Sequence, residues 1–179
     1  GLELLQSWVA RPEALEEGEP AFAHTPAEAL PVQDDGGVWL RVVAGTVYGL
    51  TSPVQTASPL FYVHAELQAG AELPLPTGYS ERAAYVVRGA MEHDGTRCKA
   101  GEMRVFAPGV DGAITAPVAT TVILLGGEPL GHRHLFWNFV SSRKERIEQA
   151  KADWRAGRFA LPPDDHDEWI PLPENPAHG

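Results

Sequence analysis

A single cysteine, Cys98, stands in the 179 residues. An intrachain disulfide is therefore excluded, and a zinc site built on thiolates nearly so. Long hydrophobic runs are lacking as well. Nothing approaches the ~18 consecutive apolar residues that suggest a membrane-spanning helix, and no basic start followed by an apolar stretch reads as a secretion leader. On these absences the chain is expected in the cytoplasm, away from membranes. Positive charge is scarce: 14 Lys plus Arg face 24 Asp plus Glu, for a formal net charge of −10. Such a surface repels phosphate backbones, which argues against direct nucleic-acid binding, and no basic stripe with interleaved aromatics offsets it. The glycine pair Gly126-Gly127 ends an apolar run, but no Lys-Ser/Thr of a phosphate loop follows.

What remains is a globular composition, 44% hydrophobic and 21% charged, which disfavours disorder for most of the chain. Residues 1–10 hold "LELLQSWVA" (Leu2 to Ala10), an apolar run that reads as a strand. Residues 11–37 are rich in Pro, Glu and Ala and read as a linker. A helical turn is expected there around Pro26 to Leu30, with Thr25 as its cap, followed by a turn at Asp34 to Gly37. Over 38–140 the pattern becomes a series of short β segments about ten residues apart, the rhythm of an all-β sandwich or barrel. "EHDGTR" is the sharpest of its turns, since Asp94-Gly95 suits a two-residue hairpin.

Residues 141–158 predict an amphipathic helix docked across the outside of the β structure. Ser142 and Glu145 have capping-box spacing, Ile147, Ala150 and Trp154 share a face, and Gly157 is placed as the stop. The tail, 159–179, is too proline-rich for regular structure, though Trp169, Ile170 and Leu172 could pin it.

Few side chains suggest chemistry. His132 and His134 are two apart, so an extended backbone would aim both rings to one side, but a third ligand is not in sight and exposed loop histidines compete as a reading. In "LFYVHAEL" the set Phe61, Val63, Ala65 and Leu67 alternates with Tyr62, His64 and Glu66. His64 then serves either a structural hydrogen bond or catalysis. Cys98 reads as a half-buried small hydrophobe, its alternative being a nucleophile paired with His93 across the turn. Asp164, Asp165, Asp167 and Glu168 around His166 read as a solvated acidic run rather than a calcium loop. No Ser/His/Asp set can be assembled.

"GAELPLPTGYSERAAYVVRG", Gly70 to Gly89, frames a site without ligands. It resembles the first motif of the cupin barrel, in which two histidines and a glutamate bind a metal. Here the histidine positions hold Pro76 and Gly78 and the glutamate position holds Arg82. Glu81 is one step off, which turns its side chain to the other face. "GEMRVFAPGVDGAI" echoes the second motif, with Asp111 to Ala113 where its histidine would stand. The fold expected is thus an all-β, cupin-type jelly-roll barrel with a C-terminal helix. Arg82 opposes a cation at that centre. It is instead a candidate to bind a small anion, or else it points to solvent or pairs with Glu81 or Glu102.

"LQSWVA", "ERAAYVVRG", "GGEPLG", "WNFVSSRKERIEQAKADWRAGRF" and "EWIPLPE" together resemble the C-terminal half of a pirin. Pirins are bicupins. The resemblance implies an N-terminal barrel binding Fe(II) through three histidines and a glutamate, and a C-terminal barrel that has lost its ligands. It also implies quercetin 2,3-dioxygenase-like activity for the full protein in some members. This sequence lacks the His-Pro-His segment of the iron barrel, so no metal ligand, catalytic residue or cofactor is assigned in it, and alone it is expected not to be catalytic. Its expected role is that of a metal-free structural partner of the iron-binding cupin. The alternatives are a required half of a dioxygenase and a small-anion-binding degenerate cupin. Leu2 to Ala10 resembles a strand of the N-terminal barrel. Without its sheet it would pair with that barrel or with a second copy of this chain.

Overall fold

The computed structural model describes residues 4–162, 164, 167–168 and 170–174. They divide into two compact units, one spanning Glu19–Pro129 and the other combining the described residues before and after it.

The larger unit is built of eleven strands: β1 (Val32–Asp35), β2 (Val38–Val47), β3 (Leu50–Thr51), β4 (Leu60–Leu67), β5 (Glu72–Pro74), β6 (Glu81–Arg88), β7 (Ala90–His93), β8 (Thr96–Lys99), β9 (Met103–Phe106), β10 (Ala113–Thr115) and β11 (Thr120–Gly127). One antiparallel sheet runs β1-β2-β4-β11-β6-β9, with β3 on β2; the other runs β5-β10-β7-β8. Their inner faces share one apolar core, in which Leu40, Val63, Ala84 and Val122 of the first meet Leu73, Met91 and Ile114 of the second. The strand rhythm led to an all-β sandwich or barrel, and the jelly-roll form is the one the cupin resemblance implied.

Period-two alternation explains the core. In β4 the predicted inward set Phe61, Val63, Ala65 and Leu67 is at most 3% exposed, and Tyr62, His64 and Glu66 lie on the other face. The Asp94-Gly95 turn forms as read, with both residues at positive φ (47° and 67°), which joins β7 to β8 in a two-residue hairpin. Gly45 sits at φ +78° where any Cβ would collide with the Leu60 carbonyl, so β2 and β4 approach there only because no side chain is present.

The linker reading needs correction. Residues 32–35 form β1, which pairs with β2 through a turn at Gly36-Gly37, both at positive φ. All four β1 residues are exposed, so the alternation that reveals a strand is absent from "VQDD". The turn around Pro26 is a 3₁₀ turn over Ala27–Ala29, with Pro26 in the capping position and no side chain capping it.

The second unit corrects three further expectations. Leu4 to Ala10 forms no strand; Leu4, Leu5, Trp8 and Val9 are exposed and have no ladder to join, and a strand without a partner leaves its backbone groups to water. Residues 130–140, read as the end of the barrel, lie in this unit. They include β12 (His134–Phe136), which pairs with β13 (Phe139–Ser141). The helix, α1 (Lys144–Arg155), packs against this hairpin through its buried Ile147 and Ala150. Ser142 does not cap it. Its hydroxyl is taken by Glu16, and Arg143 occupies the cap position without its side chain capping the helix. The helix stop is as predicted: Gly157 is left-handed (φ +65°), its N–H donates to Trp154 O, and Arg158 N–H reaches Asp153 O, a Schellman closure.

Candidate functional site

Arg82 is the centre of the larger unit's polar interior. It shares inward parity on β6 with Ala84 and Val86 and is only 5% exposed. Its Nη1 donates to the carbonyl of Pro76 at 2.9 Å and its Nη2 to the carbonyl of Val110 at 2.6 Å. Pro76 stands at the first histidine position of the first cupin motif, and Val110 precedes the segment that should carry the last histidine. The guanidinium therefore joins the two loops whose side chains would otherwise converge on a metal. Two charge-assisted hydrogen bonds hold them together. The readings of Arg82 as solvent-facing or paired with Glu81 or Glu102 do not hold. Glu81 is exposed on the opposite face, and Glu102 accepts from the backbone N–H of Lys99.

The residues around Arg82 do not fit a metal. Gly78, at the second histidine position, has φ +83°, a backbone that a histidine would adopt only under strain. Gly112 has φ +114°, and a Cβ there would press on the His93 ring at 3.3 Å. His93 itself is buried, with Nδ1 3.0 Å from Ala113 O and its ring edge-on to Phe106. Among the described residues no group of three or more His, Cys, Asp or Glu side chains is placed to hold a metal ion.

Two tyrosines that the sequence reading passed over, Tyr48 and Tyr79, are partly buried against the core of this unit. Tyr48 donates to Pro74 O at 2.6 Å, and burial pushes its phenol above the usual range. It lies at φ +53° in the two-residue Tyr48-Gly49 turn between β2 and β3, a position at which most side chains are strained. Tyr79 donates to Thr46 O at 2.6 Å and packs on Phe61. The Val-Tyr-Gly-Leu run carried a hint of this turn in its glycine, but nothing in it indicated that the tyrosine would turn inward. A cleft of about 320 Å³ lies between the Tyr48-Gly49 turn and the Pro74 to Thr77 loop.

The remaining candidates fall elsewhere. His64 rests edge-on against Trp39 and lies 3.8 Å from Glu66. Burial pushes its imidazole down, Glu66 pulls it up and Arg41 pushes it down again, leaving it below its ordinary value. Cys98 is buried opposite Met91, while His93 is opposite Thr96, so the register does not set them as a nucleophile and base. His132 and His134 do meet, with ring centroids 4.6 Å apart, but among the described residues no third ligand joins them. Of the acidic run, Asp165 and His166 lie outside the described residues, as does Trp169. Ile170 is exposed, and its carbonyl accepts from Trp154 Nε1 at 2.9 Å.

In the second unit Glu16 is the organising group. One carboxylate accepts from Ser141 Oγ, from Ser142 N and Oγ, and pairs with Arg133 Nε at 2.8 Å. Arg133 also donates to Arg11 O and Leu130 O. Burial pushes the Glu16 carboxyl up. The Ser142 and Ser141 hydrogen bonds and the Arg133 charge outweigh it and hold the group below the usual carboxylate range. Glu17 beside it pairs with Arg143 and Arg146, each at 2.9 Å. Two carboxylates from a distant segment thus serve the N-terminus of α1.

No helix among the described residues is long and apolar enough to cross a membrane. The chain is 53% identical over 172 residues to a pirin-like protein of Caulobacter vibrioides, covering 95% of this chain and 59% of the relative. It is 26% identical to Pirin-1 of Arabidopsis thaliana, covering 84% of this chain and 56% of that one. Among solved structures it superposes on a quercetin 2,3-dioxygenase from Acinetobacter baumannii with a TM-score of 0.83 and 26% identity, over 96% of this chain and 58% of that one. The chain thus spans somewhat over half the length of these relatives. Residues 62–160 match the pirin C-terminal cupin domain, and the chain belongs to the pirin family.

Proposed function

We propose that this chain is a metal-free structural half of a pirin-like protein, partner to an iron-binding N-terminal cupin whose Fe(II) site it buttresses. The observation that carries this reading is the Arg82 tie. The loops that present ligands in a cupin are fixed to one another through Pro76 O and Val110 O by a side chain that repels cations. The exposed Leu4, Leu5, Trp8 and Val9 are the surface offered to the partner, since apolar side chains clustered at that exposure gain most from being covered. Size-exclusion chromatography and calorimetry of this chain with the N-terminal cupin of its Caulobacter relative test it. Formation of a one-to-one complex that Trp8→Glu abolishes is expected. Self-association through this segment with no hetero-complex, or stoichiometric iron in this chain alone, would refute it.

The similarity to a quercetin 2,3-dioxygenase structure over nearly the whole chain favours a second reading: this half is required for dioxygenase activity whose chemistry resides in the partner. Quercetin oxidation by the N-terminal half should rise on adding this chain. No gain on mixing counts against the idea.

A further inference from the structure

The strand paths of the larger unit's two sheets end at β1, β9, β5 and β8. An end strand leaves a row of N–H and C=O groups unpaired, a template for another chain unless charge or proline blunts it. Three of the four are blunted. β1 carries exposed Asp34 and Asp35, β5 carries Pro74, and β8 carries exposed Arg97 and Lys99. β9 is not. Its exposed side chains are Met103 and Val105, at 53% and 72%, and its one charged residue, Arg104, is turned to the other face towards Phe106.

Hydrogen-bond parity identifies the groups on offer. Val86 N–H donates to Glu102 O at 3.0 Å, and Arg104 lies opposite Ala84, two residues along each strand. Glu102, Arg104 and Phe106 therefore turn their main-chain groups to β6, and Met103 and Val105 turn theirs outward. Among the described residues no turn or loop backbone takes those groups up. The same two residues continue apolar rows on the outer face of the sheet, Met103 with Tyr85 and Ile123, Val105 with Ala83 and Leu125. A further strand would lengthen both rows.

These positions specify the strand that fits. An antiparallel segment bonded to Met103 and Val105 sets its intervening residue opposite Arg104, in the close pairing where Cα atoms are about 4.5 Å apart. The two flanking residues are apolar, to lie beside Met103 and Val105. The middle one is acidic, because among the described residues Arg104 has no carboxylate partner and opposite charges facing each other across strands attract. A second copy of β9 in that register would set Arg104 against its own equivalent, a like-charge pair that destabilises. We propose that β9 is a docking edge for an extended segment of another polypeptide, of pattern apolar–acidic–apolar, added antiparallel as one more strand.

The probe is the capped pentapeptide Thr-Val-Glu-Val-Thr, titrated into the isotope-labelled chain and read by NMR at the Met103 and Val105 amides. Saturable shifts at both are expected. Replacing the peptide's glutamate by lysine should weaken binding about fivefold or more, and Arg104→Gln should bring the two peptides level. Val105→Pro deletes one outward N–H and spares the β6 ladder, since proline is admitted at an edge whose N–H faces away from the sheet. It should weaken binding likewise, read at Met103. Should that variant fail to fold, N-methylation of a peptide valine removes a bond of the same ladder from the other strand. Absence of saturable shifts overturns the proposal, as does equal affinity for the lysine peptide or binding undiminished by the lost N–H. A dimer in sedimentation that Val105→Pro dissociates, with no peptide binding, also overturns it, because the edge then serves a second copy. None of these readouts needs an N-terminal cupin, so they stand or fall separately from the proposed function.

Discussion

Glu16 and Arg133, far apart in the chain, meet at 2.8 Å with side chains only 11% and 13% exposed. The pair lies where the N-terminal segment, the β12–β13 hairpin and the start of α1 converge. Removing the carboxylate leaves Arg133 without its counter-charge and strips Ser141 and Ser142 of their acceptor. Glu16→Ala is expected to destabilise this unit by about 2–4 kcal/mol, in the range for breaking a shielded ion pair. Denaturant unfolding followed by tryptophan emission measures it, and a change under about 0.5 kcal/mol would mean the pair is only decorative.

The same carboxylate sets an acid limit. Its folded-state pKa lies below the unfolded value, so its contribution is fully present above the ordinary carboxylate range and is lost as pH falls through the folded pKa. Stability should drop with acidification below about pH 4.5, and Glu16→Gln should flatten that drop. His64 adds a second slope. Its folded pKa is also depressed, so the unfolded state binds the proton first and stability falls as pH descends from about 6.5 towards the folded value. His64→Gln removes that slope while leaving the carboxylate one. Thermal melts across pH 3–8, roughly the span of both titrations, separate the two.

Arg82→Met removes two charge-assisted bonds together with the buried charge. A loss of about 2–4 kcal/mol is expected, because the Pro76 and Val110 carbonyls are left without donors. Arg82→Lys should fall between, since one ammonium on a flexible stem does not reproduce a planar fork. Hydrogen exchange in the two loops locates the effect. A loss spread evenly over the barrel would contradict the assignment.

Gly45→Ala should be among the most damaging single substitutions in the larger unit, at about 3 kcal/mol or more. It combines strain at φ +78° with a collision against the Leu60 carbonyl. Gly78→Ala faces nothing within 4 Å and should cost only the backbone strain, about 1–2 kcal/mol. Comparing the two unfolding midpoints isolates the steric part.

The strands that bury one face were legible in the sequence, because alternation such as Phe61-x-Val63-x-Ala65-x-Leu67 follows from pleating alone. The Asp94-Gly95 and Gly157 turns were legible because positive φ narrows the choice of residue. β1 was not, since four exposed residues carry no alternation. The Ser142 cap failed because capping-box spacing is a local pattern, and a carboxylate from residue 16 competed for the same hydroxyl. At the site, the cupin-motif alignment marked Arg82 but left it open between a small anion, solvent and Glu81 or Glu102, because the run Arg82-Ala83-Ala84 is buried on both parities. That its donors would find the Pro76 and Val110 carbonyls depends on loops whose paths no periodicity encodes.

A barrel whose loops are clasped by an ion inherits that ion's supply, its exchange rate and its oxidation state. Chelators loosen it, and oxidants alter its geometry. The clasp here is covalently part of the chain, carries a permanent charge and has no redox chemistry. The shape it imposes is set once, at folding, and does not vary with metal supply or redox state.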